Sequence, residues 1–314
     1  MADRIVTVFG GSGFLGRHAV RQLAAKGTRL RIAVRDPEAA AFLKPLGDVG
    51  QIVPLQTNVR DDASVARAID GADAVINLVG LLYESGRQTF QAVHVEGARR
   101  IAQAARQAKV RSLIQISAIG ADPDSPARYA RTKAEGEAAV REAFPKTVLL
   151  RPSVVFGPED NFFNRFASLA CLAPALPLIG GGKTRMQPVY VLDIAKAIAG
   201  VLDGHAGETF ELGGPQVFTF RELMERMLET IERRRLLVPV PFWAARLGAF
   251  FLEILPRPLL TRDQVRLLER DNVVGRNVKT FADLGITPTP LAAVLPDDLA
   301  RFCPGGRRRT FNLA

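Results

Sequence analysis

The first seventeen residues constrain this chain more than any other stretch. Ile5-Val6-Thr7-Val8-Phe9 is a short, mostly apolar β-branched run, the pattern of a buried strand. It runs directly into Gly10-Gly11-Ser12-Gly13-Phe14-Leu15-Gly16, and an amphipathic stretch follows to about Lys26, where Gly27 stops it. Gly10, Gly13 and Gly16 are spaced G-x-x-G-x-x-G, with Gly11 in addition. The first glycine allows the sharp turn from strand to helix. The second lets the backbone approach a bound anion, and the third lets helix and strand pack closely. Backbone N–H groups that open a helix lack partners within it and attract negative charge. A pyrophosphate suits such a turn, which nominates Gly10, Gly11, Ser12, Gly13, Phe14, Leu15 and Gly16, with Arg17 immediately behind them. An ordinary turn also uses glycine; the strand before and the helix after are what raise this one above it.

Beyond the turn, short apolar runs alternate with amphipathic segments. Strands are expected at 29–34, 51–56, 74–79, 112–117 and 147–150, and helices at 61–69, 88–108 and 128–143. In the long helix Phe90, Ile101, Ala105 and Ala108 are expected inward, and Arg99, Arg100, Gln103 and Arg106 outward. Six β/α steps predict an α/β chain with a Rossmann-type, doubly wound parallel sheet. The dinucleotide-binding domain is expected to occupy 1–158, with 186–214 returning to it as a strand, a helix and another strand. Residues 159–185 and 215–314, richer in Phe, Leu and Pro, are expected to form a smaller, mainly helical C-terminal lobe.

The end of the second strand bears on which dinucleotide is held. An acid there accepts both ribose hydroxyls and favours NAD(H), whereas a guanidinium matches the 2′-phosphate of NADP(H). Val34 is followed by Arg35 and Asp36. Arg35, with Arg17, favours NADP(H); a register shift of one residue would bring the Asp36 carboxylate to the ribose instead.

Bulk properties agree with an anionic ligand. Lys and Arg number 42 against 32 Asp and Glu, a net charge of +10. Nucleic acid is not expected, since neither an aromatic-basic RNA motif nor a recognition helix is present. Cys171 and Cys303 stand alone, and His18, His94 and His205 are scattered, so neither a disulfide framework nor a metal site is expected. With a strand starting close to Met1 and no apolar stretch long enough to span a bilayer, the expected location is cytoplasmic, with any membrane contact from one side.

Several segments together carry a family resemblance: the glycine turn, Asn58-Val59-Arg60-Asp61, Asn77-Leu78-Val79-Gly80 and Tyr129-Ala130-Arg131-Thr132-Lys133. They resemble the extended and atypical short-chain dehydrogenase/reductase superfamily. The resemblance implies that Asn58 and Val59 lie beside the adenine, and that Leu78, Val79 and Gly80 border the adenosine ribose and the nicotinamide side. It also implies that Tyr129 is a general acid/base and that Lys133 lowers its pKa and holds the nicotinamide ribose. Ser117 is the candidate orienting hydroxyl, although extended members often place that group slightly later, where Ala118 and Ile119 stand. Later segments narrow the likeness: 142–160, Gln187-Pro188-Val189-Tyr190-Val191-Leu192-Asp193 and Leu260-Thr261-Arg262-Asp263-Gln264-Val265. These resemble the NAD(P)H-binding accessory subunits of respiratory complex I and their bacterial relatives, which implies complex I subunits as partners.

Farther along, Trp243, Leu247, Phe250 and Ile254 repeat at helical spacing, widened by Phe251 and Leu255. The stripe admits two readings: a surface for a membrane or partner, or the wall of an apolar pocket or ordinary core. Arg307-Arg308-Arg309 is either a second anionic contact or a solvated tail. Three functions follow. The first is an accessory or assembly-type homologue that holds NADP(H) structurally, peripheral on the cytoplasmic face of a bacterial inner membrane. The second is an active NADP(H)-dependent oxidoreductase or epimerase on an apolar, quinone-, sterol- or lipid-like substrate. The third is a redox-sensing regulator. The sequence leaves the oligomeric state open.

Overall fold

The computed structural model describes residues 4–255 and 258–305, and these form two compact units. The first comprises 1–152, 192–212 and 276–286. Its sheet has seven strands: β1 (Ile5–Phe9), β2 (Arg29–Val34), β3 (Ile52–Gln56), β4 (Ala74–Asn77), β5 (Ser112–Ile116), β6 (Val148–Pro152) and β7 (Thr209–Leu212). All pairings are parallel, in the order β7-β6-β5-β4-β1-β2-β3. The strand order reverses beside β1, so the chains leaving β1 and β4 diverge and open a crevice at their carboxyl ends. Val6, Val8 and Phe9 are fully buried, as a strand covered on both faces requires.

The helices that bear on this crevice are α1 (Phe14–Ala24), α2 (Asp62–Ile69), α3 (Ala98–Gln107) and α4 (Arg128–Ala143). Val65, Ile69, Ile101, Ala105, Val140 and Phe144 bury their side chains with Phe9, Val75 and Leu113 in one core. The long helix expected at 88–108 is divided. Residues Gln91–Gly97 form π-type turns before α3 begins. These wider turns bury Val93, His94 and Val95 in succession, which α-helical turns do not do on one face. They press against α4 at Gly136, where a Cβ would lie 2.1 Å from the His94 carbonyl oxygen. Ala108, expected inward, is exposed where α3 ends, and Val110 is buried instead. Arg100, expected outward, is half-buried; it donates to the Val59 carbonyl at 2.9 Å and pairs with Asp62.

A charged clasp fixes α4 to the sheet. Arg151 on β6 grips Glu137 of α4 with two bonds of 2.9 and 2.6 Å, and its guanidinium lies 3.5 Å from Glu211 of β7. The bidentate geometry sets the orientation of α4, and Glu137 lies one helical turn beyond Lys133.

The second unit comprises 153–191, 213–275 and 287–314. It is mainly helical, with helices Phe163–Leu172, Phe220–Thr230, Phe242–Leu252, Arg262–Leu267 and Leu291–Leu299 and three two-stranded ribbons. Its core gathers Phe156, Phe163, Phe220, Met224, Met227, Leu295 and Leu299. Thr219 and Thr261 each begin a helix with a reciprocal capping box, to Glu222 and Gln264. Among the described residues no helix is long and apolar enough to cross a membrane. The run Arg307-Arg308-Arg309 lies outside the described residues.

Candidate dinucleotide site

The glycine turn is built as a cradle. Gly10 has φ +76°, a left-handed conformation that favours glycine, and a Cβ there would come within 3.2 Å of backbone atoms of Leu78 and Val79. At Gly16 the constraint is harder. A Cβ would lie 2.3 Å from the Gly10 carbonyl oxygen and 2.6 Å from the Gly11 Cα and carbonyl carbon. Gly13 is the N-cap of α1; among the described residues no side chain caps this end, and no acid stands in the first turn. The first N–H groups of α1, on Phe14, Leu15 and Gly16, lie at its positive end, where a helix offers them no partner of its own. The close glycine turn and the uncapped helix start fit a pyrophosphate, which backbone donors at a helix N-terminus bind. Arg17 is held over the Phe42 ring, 5.1 Å from its centroid, and reaches back to the Ser12 carbonyl at 3.5 Å.

At the end of β2, Arg35 is exposed. The Asp36 carboxylate accepts the Ala39 N–H at 3.1 Å and so serves its own turn. Arg35 borders a surface cleft of about 340 Å³ together with Gln56, Thr57, Asn58, Arg60, Asp61, Ser64 and Arg67. Arg60 and Arg67 were not singled out from sequence; they join Arg35 because the loop and helix after β3 fold back beside the end of β2. The Asn58 N–H donates to Ser64 Oγ at 3.0 Å, and Asn58 Oδ1 accepts the Arg60 N–H at 3.1 Å, which fixes the loop. Val59, next to Asn58, packs against the core of the unit, 3.4 Å from where a Cβ on Gly97 would stand.

The strand β4 ends earlier than expected, at Asn77, because its buried side chain turns the chain. Nδ2 donates to Gln115 at 2.8 Å while Oδ1 accepts the Val79 N–H at 3.1 Å. Leu78, Val79 and Gly80 thus leave the sheet beside the glycine turn. The next N–H, on Leu81, donates to His94 Nε2 at 3.0 Å. That bond makes Nδ1 the protonated nitrogen of a neutral imidazole, directed to Thr132 Oγ1 at 3.1 Å. His94 escaped the sequence reading because it was weighed only as a metal ligand.

Tyr129 and Lys133 lie on successive turns of α4, and His94 stands between α4 and the Gly80 loop. Phe90 stacks on His94, and both rings meet Tyr129 edge-on, with centroids 6.0 and 5.4 Å away. Burial pushes Tyr129 up to about 12. Lys133 is pulled down to about 8 by burial, against the opposing charge of Glu137. His94 falls to about 2 through burial and then the neighbouring Lys133 ammonium. Lys133 Nζ lies 5.7 Å from the Tyr129 ring centroid and donates to the Ile116 carbonyl at 3.4 Å. Next to Ile116, Ser117 is buried and its Oγ has no partner among the described residues. A buried hydroxyl without a partner costs about 1–3 kcal/mol, a cost that a ligand oxygen would remove.

Strand order, glycine cradle and Tyr-x-x-x-Lys helix together define the short-chain dehydrogenase/reductase class of nucleotide-binding proteins. The chain belongs to the NAD dependent epimerase/dehydratase family, which it matches over residues 6–213. It is 38% identical to the mitochondrial NADH dehydrogenase [ubiquinone] 1 alpha subcomplex subunit 9 of Arabidopsis thaliana, over 96% of this chain and 79% of that protein. It is 33% identical to a ceramide reductase of Caulobacter vibrioides, over 62% of this chain and 59% of that protein. The fold is that of dTDP-glucose 4,6-dehydratase DesIV from Streptomyces venezuelae, solved with NAD and TYD bound, with a TM-score of 0.74 and 22% identity. That likeness covers 95% of this chain and 96% of the dehydratase.

Proposed function

We propose that this chain is an NADP(H)-binding accessory or assembly-type homologue of complex I subunits that holds its nucleotide as a structural element. One observation carries the reading: the glycine turn has the close backbone geometry of a phosphate cradle, while the Tyr129 ring packs edge-on against Phe90 and His94 and burial raises its pKa to about 12. Such a site retains a nucleotide without a phenolate poised for proton transfer. Gly10 through Gly16 would hold the pyrophosphate, with Asn58 and Val59 beside the adenine. Leu78, Val79 and Gly80 would border the ribose and nicotinamide, and Lys133 would donate to the nicotinamide ribose. The nearly full-length likeness to a complex I subunit supports complex I partners; the position on the cytoplasmic face of a bacterial inner membrane is part of the same proposal.

Arg35, exposed beside Arg60 and Arg67, supports NADP(H) over NAD(H), while one oxygen of the Asp36 carboxylate is engaged by the Ala39 N–H. Arg35→Ala is expected to weaken NADPH binding roughly 10- to 100-fold, the worth of one or two charge-assisted hydrogen bonds. NADH binding should stay within about twofold. Titration calorimetry with both nucleotides checks this.

A second reading, an active NADP(H)-dependent oxidoreductase or epimerase on an apolar quinone-, sterol- or lipid-like substrate, is favoured by the orphaned Ser117 hydroxyl beside Tyr129 and Lys133. When bound, the nucleotide would supply hydride transfer; Tyr129 would pass a proton to or from a substrate oxygen, and Ser117 would orient that oxygen. Tyr129→Phe separates the readings. Under the structural reading the variant keeps its nucleotide, co-purifies with complex I subunits and restores a deletion strain. Loss of rescue with nucleotide retained would shift the conclusion to the enzyme.

A further inference from the structure

The helix Phe242–Leu252 is packed inside out. Its small residues Ala245 and Ala249, 5% and 0% exposed, face Ile179 and Val265 within the second unit. Its large residues face solvent: Trp243 is 70% exposed, Leu247 56%, Phe250 51% and Phe251 60%, and beyond the helix end Ile254 is 78% exposed. Positions 243, 247, 250, 251 and 254 follow one another at three- and four-residue spacing, which makes them one stripe along one face. The helix is held at its base by Phe242, whose ring fills the space where a Cβ on Gly180 would stand, 2.2 Å away. The outward stripe is therefore fixed rather than frayed. An exposed apolar surface of this extent marks an interaction site.

The charge around the stripe indicates its occupant. Between 233 and 270 the chain carries eight arginines and no lysine, against three acidic residues. Arg246 and Arg262 extend from the same region, each paired with one acid, Glu269 at 3.1 Å and Glu253 at 2.8 Å. The Arg262 guanidinium also lies over the Phe250 ring, 5.3 Å from its centroid. The arginine surplus leaves this segment net positive beside large exposed apolar side chains, a combination that matches the boundary layer of an anionic bilayer. We propose that this helix lies flat in the surface of a membrane rich in anionic phospholipid, with Trp243, Leu247, Phe251 and Ile254 among the acyl chains and the arginines on headgroup phosphates. The proposal deepens the membrane-surface part of the reading above and is independent of nucleotide chemistry.

Trp243 is the only tryptophan of the chain, so its emission reports the contact directly. Purified protein is mixed with vesicles of phosphatidylcholine alone or of phosphatidylcholine with phosphatidylglycerol, then followed by fluorescence and co-sedimentation. Binding to the anionic vesicles should exceed binding to the neutral ones at least about tenfold, with a blue shift of Trp243 emission and weakening as salt is raised. Leu247→Asp with Phe251→Asp, both on exposed positions, should lose at least about tenfold in vesicle binding. Thermal stability and NADPH affinity should remain unchanged. No blue shift and no sedimentation with anionic vesicles, in protein that still binds NADPH, would overturn the proposal. So would capture of the stripe by a protein subunit with lipid binding absent.

Discussion

Gly16→Ala should reduce NADPH affinity at least about 100-fold and destabilise the chain by about 1–3 kcal/mol, the cost of forcing one extra carbon into a close-packed site. The added methyl meets the Gly10 carbonyl oxygen at 2.3 Å and Gly11 backbone carbons at 2.6 Å. None of these atoms can rotate away, so β1 and α1 must separate. The N–H groups that converge on the pyrophosphate then lose their common focus, which is why binding suffers more than stability. Gly13→Ala is the matched control. Its φ of −73° suits alanine and its Cβ would approach only the Gly10 oxygen, at 3.3 Å. Stability should hold within about 0.5 kcal/mol, while the methyl obstructs the bound phosphate and affinity falls. Denaturant midpoints and calorimetry, measured on both variants, check the contrast.

Lys133→Met should make the nucleotide-free chain more stable near pH 7 while weakening NADPH binding about tenfold. Burial holds Lys133 near 8 in the folded chain, against 10.5 for the free side chain. Below about pH 8 both states carry the ammonium, and the folded state bears the full cost of burying it. Between pH 8 and 10.5 the unfolded chain binds more protons, so wild-type stability rises with pH through that window. Methionine removes both the cost and the slope. The variant's advantage, on the order of 1–3 kcal/mol at pH 7, should therefore shrink as pH rises toward 10. Tyr129 contributes the opposite slope only above pH 10, because its folded pKa is raised and the folded state keeps its proton longer. A residue that destabilises the empty protein yet aids binding is serving the ligand. Urea denaturation at pH 7, 8.5 and 10 on both proteins measures the effect; a variant less stable at every pH would make Lys133 a packing residue.

Much of this architecture was legible in the chain because the parallel strands are short, largely apolar runs and the crossover helices between them are amphipathic. The glycine turn was legible for the same reason, since its spacing reflects steric limits of a few ångströms that only glycine satisfies. What escaped reading depended on tertiary contact. The π-type turns at Gln91–Gly97 have an apolar period close to that of an α-helix, and they lie where α4 approaches the His94 carbonyl at Gly136. The early end of β4 follows from one buried amide, Asn77, bonding to Gln115 and Val79. Arg60 and Arg67 acquire meaning only when the segments after β3 fold beside Arg35. The Trp243 stripe was visible as a period, but not its direction. A rule that sends large apolar residues inward fails where two alanines supply the packing face.

We propose that the cradle at the end of β1 holds a nicotinamide dinucleotide whose extra phosphate meets Arg35. Titration calorimetry of the folded, nucleotide-stripped chain with NADPH and then NADH tests it most directly. One equivalent of NADPH should bind, at least about tenfold more tightly than NADH. A folded chain that takes up neither dinucleotide would contradict the account at its base.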